Sequence, residues 1–312
     1  MPDVRTATPA GSQWPGGHAP LADRGWQIAR TIAPMRLIDS HGHLNADRFE
    51  DDVDEVIGRA RDAGVERILV PGWNHRSSAR ALGLVATRPS LDAAVGLHPH
   101  DAATATPAEW ADIEAWARDE RVVAIGETGL DSDRMFSPWE VQLDNLRANL
   151  ALALATGKPA ILHCRSKAGE RDAQDALVRE LRAAGFDGGP AGRAFRGRPP
   201  AVIHSFSGPA DYADEVIAMG CAVAFGGLVF RRGEEASADA VARVPVERLL
   251  LETDAPFLSP PGAPRSRNAP EFVAITARWV AERRGVGEAG LGAFGDALVA
   301  AYDVTFPRAL PR

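Results

Sequence analysis

Cysteine is scarce in this chain of 312 residues, with Cys164 and Cys221 the two present. Two thiols cannot build a disulfide framework, and both lie in apolar, strand-like runs. They are expected as reduced, buried groups, which makes the cytoplasm the default compartment. No apolar segment is long enough to suggest a membrane span or a signal-peptide core, so no membrane partner is expected. Glycine-rich phosphate loops and internal repeats are also missing, which argues against phosphate-cradling nucleotide sites and solenoids. Positive charge is not in excess, because 35 Lys and Arg face 42 Asp and Glu, a formal net charge of −7. A protein that coats nucleic acid by bulk electrostatics is disfavoured, and any such contact has to be local.

What is present is an ordinary globular composition, 45% hydrophobic and 25% charged. Residues 1–35 carry Pro, Gly, Ala and Thr without sustained periodicity and read as a loosely ordered extension. Trp14 and Trp26 suggest that part of it packs, with a short helix near Leu21 to Thr31. Residues 36–305 read as one domain in which short β-branched runs alternate with amphipathic stretches. The expected strands are Arg36 to Ser40, Arg67 to Pro71, Ala93 to Leu97, Val122 to Glu127, Ala160 to His163, Ala201 to His204, Cys221 to Phe225 and Arg248 to Glu252. Helical patterns fall between them. Eight such units over roughly 250 residues match an α/β fold of the (β/α)8 TIM-barrel type, whose active groups come from the C-terminal strand ends. A doubly wound open sheet is the alternative.

Strands buried on both faces should end in apolar or turn residues, but these end in ionisable ones. His41 and His43 follow the first, His98 the third, Glu127 the fourth, His163 the fifth, His204 the sixth and Asp254 the eighth. Alternation along an extended strand sends His41 and His43 to the same side, where two imidazoles can converge on a divalent cation. One strand-end histidine alone is more often a hydrogen-bonded structural residue. Four imidazoles and two carboxylates from this set would account for a two-metal centre.

The segments Ile38-Asp39-Ser40-His41-Gly42-His43, Gly96-Leu97-His98-Pro99-His100, Ile125-Gly126-Glu127-Thr128-Gly129-Leu130-Asp131, Leu162-His163-Cys164-Arg165, Ile203-His204-Ser205-Phe206-Ser207-Gly208 and Leu251-Glu252-Thr253-Asp254-Ala255-Pro256-Phe257-Leu258 resemble, in order and spacing, the motifs of the TatD-like metal-dependent hydrolases. The resemblance spans about Leu37 to Asn268. It implies an amidohydrolase-like barrel with two divalent cations (Zn, Mn or Mg) and hydrolytic activity, most often as a deoxyribonuclease. Carried over, it places one cation on His41, His43 and Asp254 and the other on His163 and His204. Glu127 bridges both, since a carboxylate has two oxygens and can span two cations roughly 3.5–4 Å apart.

The expected reaction is hydrolysis of a phosphodiester by a metal-activated hydroxide, with Glu127 and Asp254 as catalytic carboxylates and Asp254 orienting the water or taking its proton. His98 is expected to face the phosphate or transfer a proton. Arg165, Arg134, Lys167, Arg231 and Arg267 are candidate substrate contacts, with Arg165 foremost because guanidinium binds phosphate bidentately. Asn268 is expected to cap the last barrel helix, and Asp131 to support a loop or a ligand. Ser132-Asp133 stands where the family has an aromatic pair, which removes candidate base-stacking surfaces. The Gly188 to Pro200 insert is expected as a flexible loop on the opposite, N-terminal face. The partner is then DNA, at its 3′ or 5′ ends, or another phosphodiester or ester, with no obligate protein partner evident. Two other readings are an ester or amide hydrolase of the same machinery, acting on aminoacyl-tRNA or a lactone, and a catalytically degenerate binding protein.

Overall fold

The computed structural model describes residues 35–189 and 193–308. Apart from Met35, the extension expected over 1–35, with its short helix, lies outside the described residues. Eight strands, β1 (Leu37–Asp39), β2 (Val65–Pro71), β3 (Leu91–Val95), β4 (Val122–Asp131), β5 (Ala160–Arg165), β6 (Ala201–Ile203), β7 (Ala222–Phe225) and β8 (Leu249–Leu251), pair in sequence order. Each pairing is parallel. Ser40 N–H donates to the Leu251 carbonyl at 2.9 Å and Gly42 bridges Ala255, so the last strand returns to the first and the ring nearly closes. The open-sheet alternative is thereby set aside.

The helices are α1 (Val53–Asp62), α2 (His75–Val85), α3 (Pro107–Trp116), α4 (Trp139–Thr156), α5 (Asp172–Ala183), α6 (Ala210–Ala218), α7 (Glu235–Ala240), α8 (Val273–Arg283) and α9 (Leu291–Thr305). Their starts follow from local chemistry. Asn74 and Ser77 satisfy each other's backbone N–H groups at the head of α2, and Thr106 and Glu109 do the same for α3, where Pro107 occupies the first turn. Ile38, Leu69, Ala94, Ala124, Ile161 and Val202 fall in one inner cluster with Tyr302 and Phe306 from the C-terminal segment. The larger cluster, including Leu37, Val70, Val95 and Leu162, packs with helix residues such as Val56, Leu146 and Leu177. This two-layer burial is why the strands read as continuous apolar runs.

Two local expectations change. In the insert before β6, Phe195 is buried against Phe186, with ring centroids 5.5 Å apart, and Arg198 donates to the Gly157 carbonyl at 3.0 Å. Its described part is therefore packed rather than flexible, because an aromatic ring among the Gly and Pro residues supplies an apolar anchor. Gly157 lies between α4 and β5, so the segment does emerge on the N-terminal face. The strand β4 is longer than expected, reaching Asp131.

Both cysteines are free and buried, and burial pushes each thiol up to about 12. A thiol of that kind holds almost no thiolate at neutral pH. Native protein is expected to leave Ellman's reagent unreacted over minutes, with both thiols released only on denaturation. Rapid reaction of the native form would contradict this burial.

Candidate metal centre

The site sits at the C-terminal mouth of the barrel, where a bend in β4 sets its centre. The β4–β5 register shifts between Ile125 and Thr128, and Glu127 N–H donates to the Gly72 carbonyl just beyond β2 at 2.7 Å. The chain thus leans across the end of β3, at the place where Gly96 has no side chain to obstruct Gly126. A bulge of this kind re-aims the buried Glu127 carboxylate into the barrel mouth.

Five imidazoles converge on that carboxylate. Glu127 Oε2 lies 3.3 Å from His41 Nε2 and 3.7 Å from His43 Nε2. Its Oε1 lies 3.2 Å from His98 Nε2, 3.4 Å from His163 Nδ1 and 3.3 Å from His204 Nε2. Asp254 Oδ1 stands 3.2 Å from His43 Nε2 and 3.9 Å from His41 Nε2. The Asp254 backbone is left-handed, φ 55°, and its N–H donates to the His41 carbonyl at 2.9 Å, which fixes the β8 end to the β1 end. The His41 and His43 Nε2 atoms are 3.2 Å apart, so the expected convergence is present.

The donor set fits divalent metal. Tetrahedral ligands about 2.0–2.1 Å from a cation are roughly 3.3 Å from one another. Ligand atoms of His41, His43 and Asp254, of His41, Glu127 and His204, and of His98, Glu127 and His163 each lie within 4.8 Å of one another. Behind them stand carboxylates that orient rings. Glu252 Oε1 is 3.1 Å from His204 Nδ1 and accepts the Ser205 N–H at 2.6 Å. Asp131 Oδ2 lies 3.2 Å from His163 Nε2 and 2.7 Å from His100 Nε2. Asp39 accepts from the backbone N–H groups of His41 (3.2 Å) and Thr253 (2.9 Å), clamping the β1 and β8 ends from below.

Charge follows from this arrangement. Burial alone would raise the Glu127 carboxyl, yet His98, His204 and His41 hold it well below the usual carboxylate range. Burial likewise opposes protonation of His204, but the flanking Glu252 and Glu127 raise it well above the usual imidazole range. His98 differs. Its Nδ1 accepts the His100 N–H at 3.1 Å, and burial lowers its pKa to about 4. That pattern assigns a neutral ring with its proton on Nε2, facing Glu127.

The cationic candidates separate. Arg134 and Arg165 line the cleft, which encloses about 450 Å3 and is also bordered by Trp73, Leu228 and Phe257. Arg165 Nε is held by Asp133 Oδ2 at 2.9 Å. Lys167 lines a neighbouring groove with Trp139 and Arg179. Arg231 is exposed and is not among the cleft-lining residues. Arg267 makes a two-pronged pair with Asp52 at 2.8 and 2.6 Å and donates to the Arg48 carbonyl, so its guanidinium ties the β8 loop to the segment before α1. Asn268 does not cap α8. It donates to the carbonyls of Thr253 (2.8 Å) and Phe257 (2.7 Å), pinning the loop that carries Asp254, and the helix begins at Val273 after a 3-10 turn.

Sequence reasoning gave no role to Asp39, Glu252, His100 or Trp73. For the first two, a usable signal was an acidic residue inside an otherwise apolar strand end.

Comparison with known proteins agrees with the geometry. Residues 38–294 match the model of the family described as TatD related DNase. A Bacillus subtilis protein named uncharacterized metal-dependent hydrolase YabD is 36% identical over 246 residues, covering 79% of this chain and 90% of that one. The Edwardsiella piscicida protein named 3′-5′ ssDNA/RNA exonuclease TatD is 36% identical over 256 residues, covering 80% and 92%. Among solved structures, the TatD homolog YjjV from Escherichia coli superposes with a TM-score of 0.75 at 28% identity, covering 89% of this chain and all of that one.

Proposed function

This chain belongs to the TatD related DNase family and is a metal-dependent hydrolase, and on that footing we propose that it hydrolyses phosphodiester bonds at the ends of single-stranded nucleic acid. The observation that carries the reading is the division of Glu127: one oxygen faces His41 and His43, the other faces His163, His204 and His98. His41, His43 and Asp254 would hold one divalent cation, His163 and His204 a second, and Glu127 both. Bound there, such cations supply Lewis acidity toward a phosphoryl oxygen and make a water acidic enough to attack at neutral pH.

The remaining steps belong to the protein's own groups. Asp254 turns Oδ1 toward the two imidazoles, leaving Oδ2 to orient the attacking water and accept its proton. His98 keeps its proton at Nε2 and can offer it as a hydrogen bond to a phosphoryl oxygen, while the departing alkoxide takes its proton from water or from the Asp254 carboxyl that received one from the nucleophile. Arg134 and Arg165 line the cleft and favour an anionic substrate over a neutral lactone. The cleft walls and the buried imidazoles limit bulk water at the reacting phosphate.

The test is an assay of protein stripped by chelator and reloaded with Zn, Mn or Mg, on end-labelled single- and double-stranded DNA and RNA beside charged tRNA and lactones. Metal-restored shortening of single strands is expected, with about two equivalents of metal bound at full activity. Intact oligonucleotides together with turnover of an ester would assign the site to ester hydrolysis instead.

A further inference from the structure

Among the described residues four large hydrophobic side chains are exposed, and three stand on the loops that follow β4 and β8: Met135 (44%), Phe136 (65%) and Phe257 (51%). The fourth, Val304, lies on α9. Phe257 lines the cleft and Phe136 packs on the cleft-lining His100, whereas Met135 borders the neighbouring groove with Lys167. Single exposed apolar residues are ordinary, but two exposed rings at the edge of one cleft are not.

The two phenylalanines occupy particular places. Phe257 meets His43 edge-on, with ring centroids 6.0 Å apart, and Phe136 meets His100 edge-on at 4.8 Å. Between them the imidazoles form a row. His43 adjoins His41 at 4.8 Å and His41 stacks on His204 at 3.7 Å. His204 is followed by His163 at 6.3 Å, then His98 at 4.6 Å and His100 at 4.3 Å. Phe257 and Phe136 therefore mark the two ends of the ring row that surrounds Glu127.

We propose that Phe257 and Phe136 are stacking platforms for the bases on the two sides of the scissile phosphate, one at each end of the imidazole row. The inference rests on the single-strand phosphodiesterase reading above and names the side chains that hold the two bases. A phosphate centred over Glu127 leaves its two nucleosides pointing toward opposite ends of the imidazole row. In a duplex only the outer face of the terminal pair is open and the next base is covered on both sides, so two neighbouring bases can each offer a π face to these rings only when the strand is single. Arg134, two residues before Phe136 and on the cleft wall, places a cation beside that platform. An aminoacyl ester or a lactone has no pair of bases flanking the reacting centre and would leave a ring without a partner.

The test uses full-length protein with Phe136→Ala, Phe257→Ala and the corresponding Trp variants. Each Ala variant is expected to raise KM for single-stranded oligonucleotides about tenfold, with Trp restoring it. The loss should shrink to less than about twofold when the two terminal nucleotides are abasic, because the substrate then lacks what the ring would hold. A 2-aminopurine placed at each of the two flanking positions in turn should be quenched on binding to metal-free wild-type protein and not on binding to the Ala variant that lacks the ring facing it. An unchanged KM, or an equal loss on abasic strands, in protein that degrades single strands overturns the stacking role alone. Failure of metal-loaded wild type to degrade any oligonucleotide overturns the phosphodiesterase reading and this one together.

Discussion

Replacing Glu127 with alanine is expected to lower turnover on the order of a thousandfold or more while the barrel stays folded. The reason is that no other carboxylate among the described residues reaches both halves of the site. His41 and His43 keep Asp254 as an anionic neighbour, and His163 and His204 keep Asp131 and Glu252, but among the described residues no other carboxylate contacts both sets. Those surviving pairs also explain why folding should persist, since the raised imidazoles are not left without a counter-charge. Glu127→Gln separates charge from shape. It preserves an acceptor for the His98 Nε2–H but supplies one acceptor oxygen and no negative charge, so it should match alanine in activity and exceed it in melting temperature. Rates on an end-labelled single strand, metal content by mass spectrometry and thermal melts read the three effects. An alanine variant that turned over at close to the wild-type rate with a full complement of metal would remove Glu127 from the chemistry.

The eight strands were legible because a parallel strand covered on both faces must be apolar along its whole length. For the same reason the interruptions stood out: a His or Glu that ends such a run is buried at the barrel mouth with nowhere else to go. The supporting groups were harder to see. Asp39 and Glu252 fall inside the expected strands, and their roles come from partners just beyond other strands, Thr253 for one and His204 for the other. Arg267 and Asn268 read as a loop cation and a helix cap, yet both are absorbed by tertiary hydrogen bonds that sequence spacing cannot reveal. Ser132-Asp133, in place of an aromatic pair, removes two candidate stacking surfaces and weakens the argument for a single strand. In the folded chain Phe136 stands in the same loop and Phe257 at the other end of the imidazole row, so ring surface is present at other positions. A family position can be vacated while its chemistry is supplied by a neighbour a few residues along.

The glycines of β4 show how far the site depends on backbone rather than side chains, and Gly129→Ala is expected to have the largest effect on stability. Gly129 has φ 142°, a region that residues with a Cβ rarely adopt, and it pairs with His163 on β5. A Cβ added there would fall on the His163 carbonyl group, well inside contact distance and against backbone that cannot swing away. Relief requires β4 and β5 to separate, and these strands carry Glu127, Asp131 and His163, so folding and metal affinity should fall together. A cost of about 3 kcal/mol or more is expected, which in a domain of this size lowers the melting temperature by roughly 6–12 °C. Gly169 is the control: it also has positive φ, 83°, but has open space where a Cβ would sit. Its alanine variant meets only the conformational penalty, about 1 kcal/mol. Equal melting temperatures for the two variants would show that the close approach of β4 to β5 at Gly129 does not hold the site together.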